Sequence, residues 1–212
     1  MHFFIVLSLA FLLFNCNQAP QITTLPFYTG PDFTPEWIDT KDQTYPTIHT
    51  IAPFSFTNQD GDEISDRTFA DKIYVADFIF TTCPGICPQL TRHMTRVQET
   101  FADDPDVLLL SHSVTPATDT VPVLKSYAER NGVRSGKWHL VTGAREAIYT
   151  LARTSYFADA NLGFSKGAND FLHTENFVLV DVHKRIRGVY NGTLPLDIKR
   201  LIEDIRLLKS ES

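Results

Sequence analysis

The sequence predicts an α/β fold in which helices cover both faces of a mixed central β-sheet. Residues 73–80 (IYVADFIF) are nearly all apolar, which is typical of a strand buried on both faces. From this point on, strand-like runs alternate with segments whose apolar residues recur at helical spacing. A chain of 212 residues, 43% of them hydrophobic, is long enough to bury the core of one such domain.

The individual elements can be assigned in chain order. Residues 54–57 and 63–65 flank a turn containing Gly61 and predict an added N-terminal β-hairpin. After the strand at 73–80, one face of a helix over 89–102 carries regularly spaced apolar residues. The remaining elements are a strand at 107–111, a helix at 121–130, a strand at 139–142, a helix at 145–156, a long polar loop at 158–173, a hairpin of 176–182 and 185–190, and a helix from about Pro195.

The N-terminus predicts export. Residues 1–15 (MHFFIVLSLAFLLFN) contain no Lys, Arg, Asp or Glu and are too few to span a bilayer, as in the apolar region of a signal peptide. The sequence Leu13-Phe14-Asn15-Cys16 resembles a bacterial lipobox, in which the cysteine is lipidated. We therefore expect an exported lipoprotein, anchored to a membrane through Cys16 and facing the periplasm or the cell exterior of a bacterium. A plain signal peptide and an uncleaved apolar anchor are the alternatives.

These observations predict three regions: a lipoprotein-type signal peptide at 1–15, a linker at 16–46 and the folded domain at 47–212. Residues 17–46 contain five prolines and no clear period, as expected of an extended lead-in. Aromatic residues within it suggest that part of it packs on the domain. The net charge of −6 argues against a nucleic-acid partner.

The main candidate site is the segment TTCPGICPQL, where Cys83 and Cys87 stand between a predicted strand and helix. A helix N-terminus favours the thiolate, which is both the nucleophile and the metal ligand. Two thiolates are soft donors that suit Cu(I) or zinc. The spacing also allows a redox-active or structural disulfide. A cysteine pair at the turn after a central strand resembles the layout of thioredoxin.

Two cysteines leave a metal site open, so a histidine is the expected third ligand. His173 closes the long loop before the strand at residue 176, a junction that faces the cysteine turn in a thioredoxin-like sheet. Thioredoxins have a cis-proline at this junction, and this chain has none nearby. His112, at the end of a strand, is a candidate to support the site indirectly. The other histidines are expected to be ordinary surface or core residues.

Several longer segments resemble the SCO/SenC family. They are IAPFSFTNQDG, VADFIFTTCPGICPQLTRHMTRVQ, SHSVTPATDTVPVLKSYAERNGV, KWHLVTG and FLHTENFVLVDVHKRIRGVYNGT, within residues 51–193. The resemblance implies a thioredoxin-like fold, a membrane-tethered copper protein of cytochrome c oxidase assembly, and copper ligation by Cys83, Cys87 and His173. It also implies a partner in the copper-bearing oxidase subunit or in another copper carrier. Many members have an aspartate where this chain has Thr115.

Three functions are compatible with this pattern. The first is a copper chaperone, binding Cu(I), Cu(II) or both, that delivers copper to the dinuclear copper site of the oxidase or prepares that site. The second is an enzyme, a thiol-disulfide reductase that keeps the oxidase cysteines reduced. The third is a thiol peroxidase, whose motif the cysteine segment matches only in part. The same two sulfur atoms would serve each function, so the sequence alone does not separate them.

Overall fold

A seven-stranded mixed sheet forms the centre of the molecule. The computed structural model describes residues 24–158, 172 and 174–211. The strands in this part of the chain are β1 (Phe27–Tyr28), β2 (Pro35–Glu36), β3 (Ser55–Asn58), β4 (Glu63–Ser65), β5 (Ile73–Ile79), β6 (Val107–Ser113), β7 (Trp138–Thr142), β8 (Asn176–Val180) and β9 (Ile186–Asn191). The α-helices are α1 (Cys87–Thr100), α2 (Val121–Asn131), α3 (Arg145–Thr154) and α4 (Pro195–Glu211).

The strand order is β4-β3-β7-β6-β5-β8-β9. The three central strands β5, β6 and β7 are parallel, while β8, β9 and the β3–β4 hairpin add antiparallel pairs at the two sides. Every residue of β5, β6 and β7 is buried, as expected of strands covered on both faces. The predicted mixed sheet and the added N-terminal hairpin are both confirmed.

Helices cover both faces of this sheet. Residues of α1, α2 and α4 pack together on one face, and α3 packs against the other face with residues of the β3–β4 hairpin. The predicted helices are all present, although α1 begins at Cys87, two residues earlier than expected. Pro88 is compatible with this start because the first turn of a helix does not use its N–H groups.

Hydrogen bonds to backbone atoms of the lead-in hold this segment, from residue 24 onward, against the domain. Arg187, almost fully buried, donates from Nη2 to the carbonyl oxygen of Leu25 at 2.6 Å and from Nε to that of Pro26 at 3.1 Å. Glu211 accepts from the Leu25 N–H at 2.6 Å. Phe27 is buried, as the aromatic residues of this segment suggested, whereas Trp37 is 63% exposed.

Several predictions lie outside the described residues. They are the signal peptide at 1–15, the lipidated Cys16, most of the loop at 158–173, and His173. Within the described residues, no helix is both long and apolar enough to cross a membrane.

Candidate metal centre

The two cysteines lie where the central strand β5 passes into helix α1. Strand β5 ends at Ile79, the Cys83 N–H donates to the Phe80 carbonyl oxygen at 3.2 Å, and Cys87 is the first residue of α1. Both cysteines are free thiols. This turn therefore presents two sulfur donors at the N-terminus of a 14-residue helix, where free N–H groups favour negative charge.

Cys83 is the more accessible and more acidic thiol of the pair. Partial burial raises its pKa, but hydrogen bonds outweigh that effect and leave the pKa below its usual value. These bonds come from the Cys87 thiol and from the backbone N–H groups of Gly85, Ile86 and Cys87. They stabilise the thiolate more than the thiol, so Cys83 is the sulfur prepared to react with an incoming metal or disulfide.

Cys87 has the opposite character. It is 4% exposed, and burial raises its pKa to about 12, with a smaller contribution from the neighbouring Cys83. Its helix turn is fixed by Thr91, whose hydroxyl donates to the Cys87 carbonyl oxygen at 2.9 Å and bonds the Tyr127 hydroxyl at 2.6 Å. Cys87 thus keeps its proton until a metal or disulfide bond replaces it.

A buried carboxylate near the pair was not singled out by the sequence analysis. Asp77 on β5 is completely buried, and its Oδ1 accepts from the Ser111 hydroxyl at 2.5 Å while Oδ2 has no partner among the described residues. Burial raises its pKa to about 7. Its charge contributes to the raised pKa values of Cys87 and Tyr127, although burial is the larger cause in both.

A second buried carboxylate, Asp119, ties the beginning of the cysteine loop to the segment after β6. Its carboxylate accepts from the Thr81 hydroxyl and the Ser113 hydroxyl, both at 2.6 Å. Thr115 donates its hydroxyl to Asp119 at 3.0 Å. An acid at residue 115 would bring a second carboxylate against the first, whereas threonine completes the network.

This network leads to a testable expectation for Asp119. The Asp119→Ala variant should lower the free energy of unfolding by about 1–3 kcal/mol, because it leaves buried hydroxyl and N–H donors without an acceptor. It should also speed alkylation of Cys83, since Thr81 no longer holds the loop. Urea unfolding and thiol alkylation of the reduced protein measure both effects, with exposed Asp103→Ala as the control. Unchanged stability would contradict the assigned role.

The metal-ligand prediction for His173 falls outside the described residues, and the described residues on either side of it are Leu172 and Thr174. Strand β8 runs antiparallel to β5 with Ala76 opposite Val178. The first residues of β8 therefore lie at the end of the sheet where β5 ends and the cysteine turn begins. Leu172 is buried, and the Glu175 carbonyl oxygen accepts from the Gly192 N–H at 2.8 Å. Among the described residues, no three His, Cys, Asp or Glu side chains are grouped closely enough to hold a metal ion.

Three described histidines have contacts of their own in the fold. His49 bonds the Ser155 carbonyl oxygen at 2.9 Å, and His93 bonds that of Gly192 at 2.6 Å. His112 is fully buried among aromatic rings on the α3 face, opposite the face that α1 covers. Burial lowers its pKa to about 3, and neither ring nitrogen has a partner among the described residues, so the expected indirect support of the thiol site by a hydrogen bond from His112 is not seen there.

Comparisons with known proteins identify relatives of this chain. The family model described as SCO1/SenC matches residues 42–209. A solved SCO1/SenC family lipoprotein from Bacillus anthracis is 28% identical, with a TM-score of 0.66 over 76% of this chain and 95% of its own. A structure of BsSco, described as a member of the Sco family of cytochrome c oxidase assembly proteins with a disulfide switch, is 30% identical, with a TM-score of 0.66 over 77% of this chain and 95% of its own.

A third solved structure contains metal. ScoI from Bradyrhizobium japonicum with copper bound is 25% identical, with a TM-score of 0.56 over 71% of this chain and 98% of its own. These similarities confirm the thioredoxin-like fold predicted from the order of the elements.

Proposed function

The chain belongs to the SCO1/SenC family, whose members bind copper and take part in cytochrome c oxidase assembly, and from this premise we propose that it is a membrane-tethered copper chaperone. Its task would be to deliver copper to the dinuclear copper site of the oxidase, or to prepare that site. Copper is cargo in this proposal, bound and then passed on, so the protein need not catalyse a reaction.

The observation that carries the proposal is the pair of free thiols at the start of α1. Two sulfur donors suit Cu(I), and the half-buried Cys83 leaves one of them open to an incoming ligand. Cys83 and Cys87 would hold the metal, with the imidazole of His173 as the third ligand. Because three ligands leave copper coordinatively open, an acceptor with similar thiolates can take it by ligand exchange.

A thiol-disulfide reductase is the second candidate, and the contrast between the two cysteines favours it. The Cys83 thiolate would attack a partner disulfide and release one partner sulfur as a thiolate. Cys87 would then lose its proton and displace the second partner sulfur. The partner gains two electrons, while Cys83 and Cys87 become a disulfide. The disulfide switch described for BsSco is consistent with such chemistry.

The variant His173→Ala separates the two functions. We expect it to impair oxidase assembly in cells and to weaken copper binding, while the reduction of a model disulfide by the cysteine pair stays as in wild type. Oxidase activity of membranes, copper stoichiometry and dithiol exchange rates are the measurements. His183→Ala, at an exposed turn, is the matched control. Full oxidase activity with His173→Ala would favour the reductase.

We also propose that the protein is an exported lipoprotein held to a membrane through Cys16. Support comes from the uncharged residues 1–15, from the lipobox-like sequence before Cys16, and from the related Bacillus anthracis lipoprotein. The anchor would place the domain in the periplasm or on the cell exterior. Only a few residues separate Cys16 from Leu25, where the lead-in is bonded to Arg187 and Glu211.

A further inference from the structure

Two exposed leucines lie beside the cysteine helix. Leu194 is 50% exposed and Leu196 is 68% exposed, and Trp37 is the one other large apolar side chain with such exposure in the described part of the chain. Single exposed apolar residues are ordinary, but these two are separated by a single residue and follow a loop that contacts the first turn of the helix carrying Cys87. The mechanism of copper binding does not require either of them.

The loop that carries Leu194 and leads into α4, where Leu196 is the second residue, is bonded to the segments on both sides of the site. Gln89, in the first turn of α1, donates from Nε2 to the Thr193 carbonyl oxygen at 2.6 Å. Gly192 donates its N–H to the Glu175 carbonyl oxygen, just before β8. A side chain at residue 192 would clash with Leu90 of α1, since a Cβ there would lie 2.7 Å from it. The loop is therefore fixed close to the cysteine turn.

Basic charge lies on the same helix. Arg92 and Arg96 are exposed and follow Pro88 at intervals of four residues, so they share one outward stripe of α1. Neither arginine side chain forms an ion pair with another described residue. The whole chain has a net charge of −6, so this stripe contrasts with the rest of the molecule. We call this area the cysteine-edge surface, made of Pro84, Pro88, Arg92, Arg96, Leu194 and Leu196.

We propose that the cysteine-edge surface docks the protein that accepts the copper, through apolar contact at the leucines and carboxylates facing the arginines. The inference rests on the proposed chaperone function. Ligand exchange requires the acceptor's ligands to reach Cys83, so the acceptor must cover the exposed residues around that thiol. A partner with an apolar rim and acidic residues near its metal site is complementary to this surface.

The described part of the lead-in joins the domain at a distance from this surface. Leu194 lies directly before the first residue of α4, whereas Glu211, which holds Leu25, is its last residue. A 17-residue helix is about 25 Å long, so the lead-in enters the domain at the end of α4 far from the leucines. The described lead-in therefore does not cover the cysteine-edge surface, whose leucines and arginines stay exposed.

The test uses the full-length protein in an uncharged detergent and, as the probe, the copper-free soluble domain that bears the dinuclear copper site of the same cell's oxidase. Calorimetric titration gives the affinity, and copper transfer from the Cu(I)-loaded protein gives the rate. Leu194→Ser with Leu196→Ser should weaken binding at least ~10-fold. Arg92→Glu with Arg96→Glu should weaken it by a similar factor at low ionic strength and less at high salt.

Matched controls are available elsewhere on the molecule. Trp37→Ser removes the remaining exposed large apolar side chain of the described residues, and Arg67→Glu with Arg130→Glu makes the same change in net charge at exposed positions outside the cysteine-edge surface. Both controls should bind the probe as wild type does. All variants should retain the wild-type copper stoichiometry, which separates a docking defect from a damaged metal centre.

Each outcome has a defined meaning. Wild-type affinity in both surface variants would overturn the docking surface and leave the chaperone function standing. Specific loss of binding in those variants, with no copper transfer even by wild type, would support the surface and overturn the copper-donor role. No binding by wild type would overturn both. Slower amide exchange at residues 192–196 on anionic phospholipid vesicles alone would assign the surface to the membrane and overturn the proposal.

Discussion

Replacing either Cys83 or Cys87 by serine is expected to lower Cu(I) affinity by more than ~100-fold. A hydroxyl is a hard, protonated donor, and a single remaining thiolate does not hold Cu(I) against competing thiols. Even residues that only support a metal ligand commonly change affinity by ~10–100-fold, so loss of a ligand should exceed that range. Competition against a Cu(I) chelator, under reducing conditions and without oxygen, measures the change.

The control for this experiment is Thr82→Ser, which changes an exposed side chain directly before Cys83 and leaves both sulfur atoms in place. Its copper affinity should equal that of wild type. We expect the Cys83→Ser variant to stay folded, because that side chain is only half-buried. Tight retention of one equivalent of Cu(I) by the double serine variant would contradict the assignment of both cysteines as ligands.

The parts of the fold that depend on local pattern could be predicted from the sequence. The apolar run of β5 predicted a buried central strand. The position of Cys83 and Cys87 between this strand and a helix predicted that both lie at the turn joining β5 to α1. Gly132 ends α2 in the left-handed conformation, with φ of 68°, as a helix stop of this kind requires. Such features involve residues near one another in the chain.

The parts that depend on pairing between distant strands could not be predicted in the same way. Asp77 was interpreted as one member of an apolar run, and its hydrogen bond with Ser111 is set by the register of β5 against β6. The network of Asp119 likewise depends on Thr81, 38 residues away. The attachment of the lead-in to Arg187 joins residues more than 160 positions apart. No spacing rule in one sequence specifies these contacts.

Replacing Asp77 by asparagine is expected to stabilise the reduced, copper-free protein at alkaline pH. The pKa of Asp77 is about 7 in the folded state against 3.8 in the unfolded chain, because burial disfavours the carboxylate. The folded state therefore binds more protons between these values, and stability falls as the pH rises from about 4 to about 7. This pKa difference corresponds to an upper limit of ~4 kcal/mol at pH 8. Asparagine removes the charge and keeps an oxygen for Ser111.

Thermal and urea unfolding at pH 5 and pH 8 check this expectation. The advantage of Asp77→Asn over wild type should be largest at pH 8 and smaller at pH 5, and the titration of His112 cancels because both proteins contain it. Asp181→Asn is the contrasting control, since its buried carboxylate accepts the N–H groups of His183 and Arg185 and faces Arg187. That variant should be destabilised at both pH values. An Asp77→Asn protein less stable than wild type at pH 8 would mean that the ionised carboxylate has a compensating partner, such as a buried water.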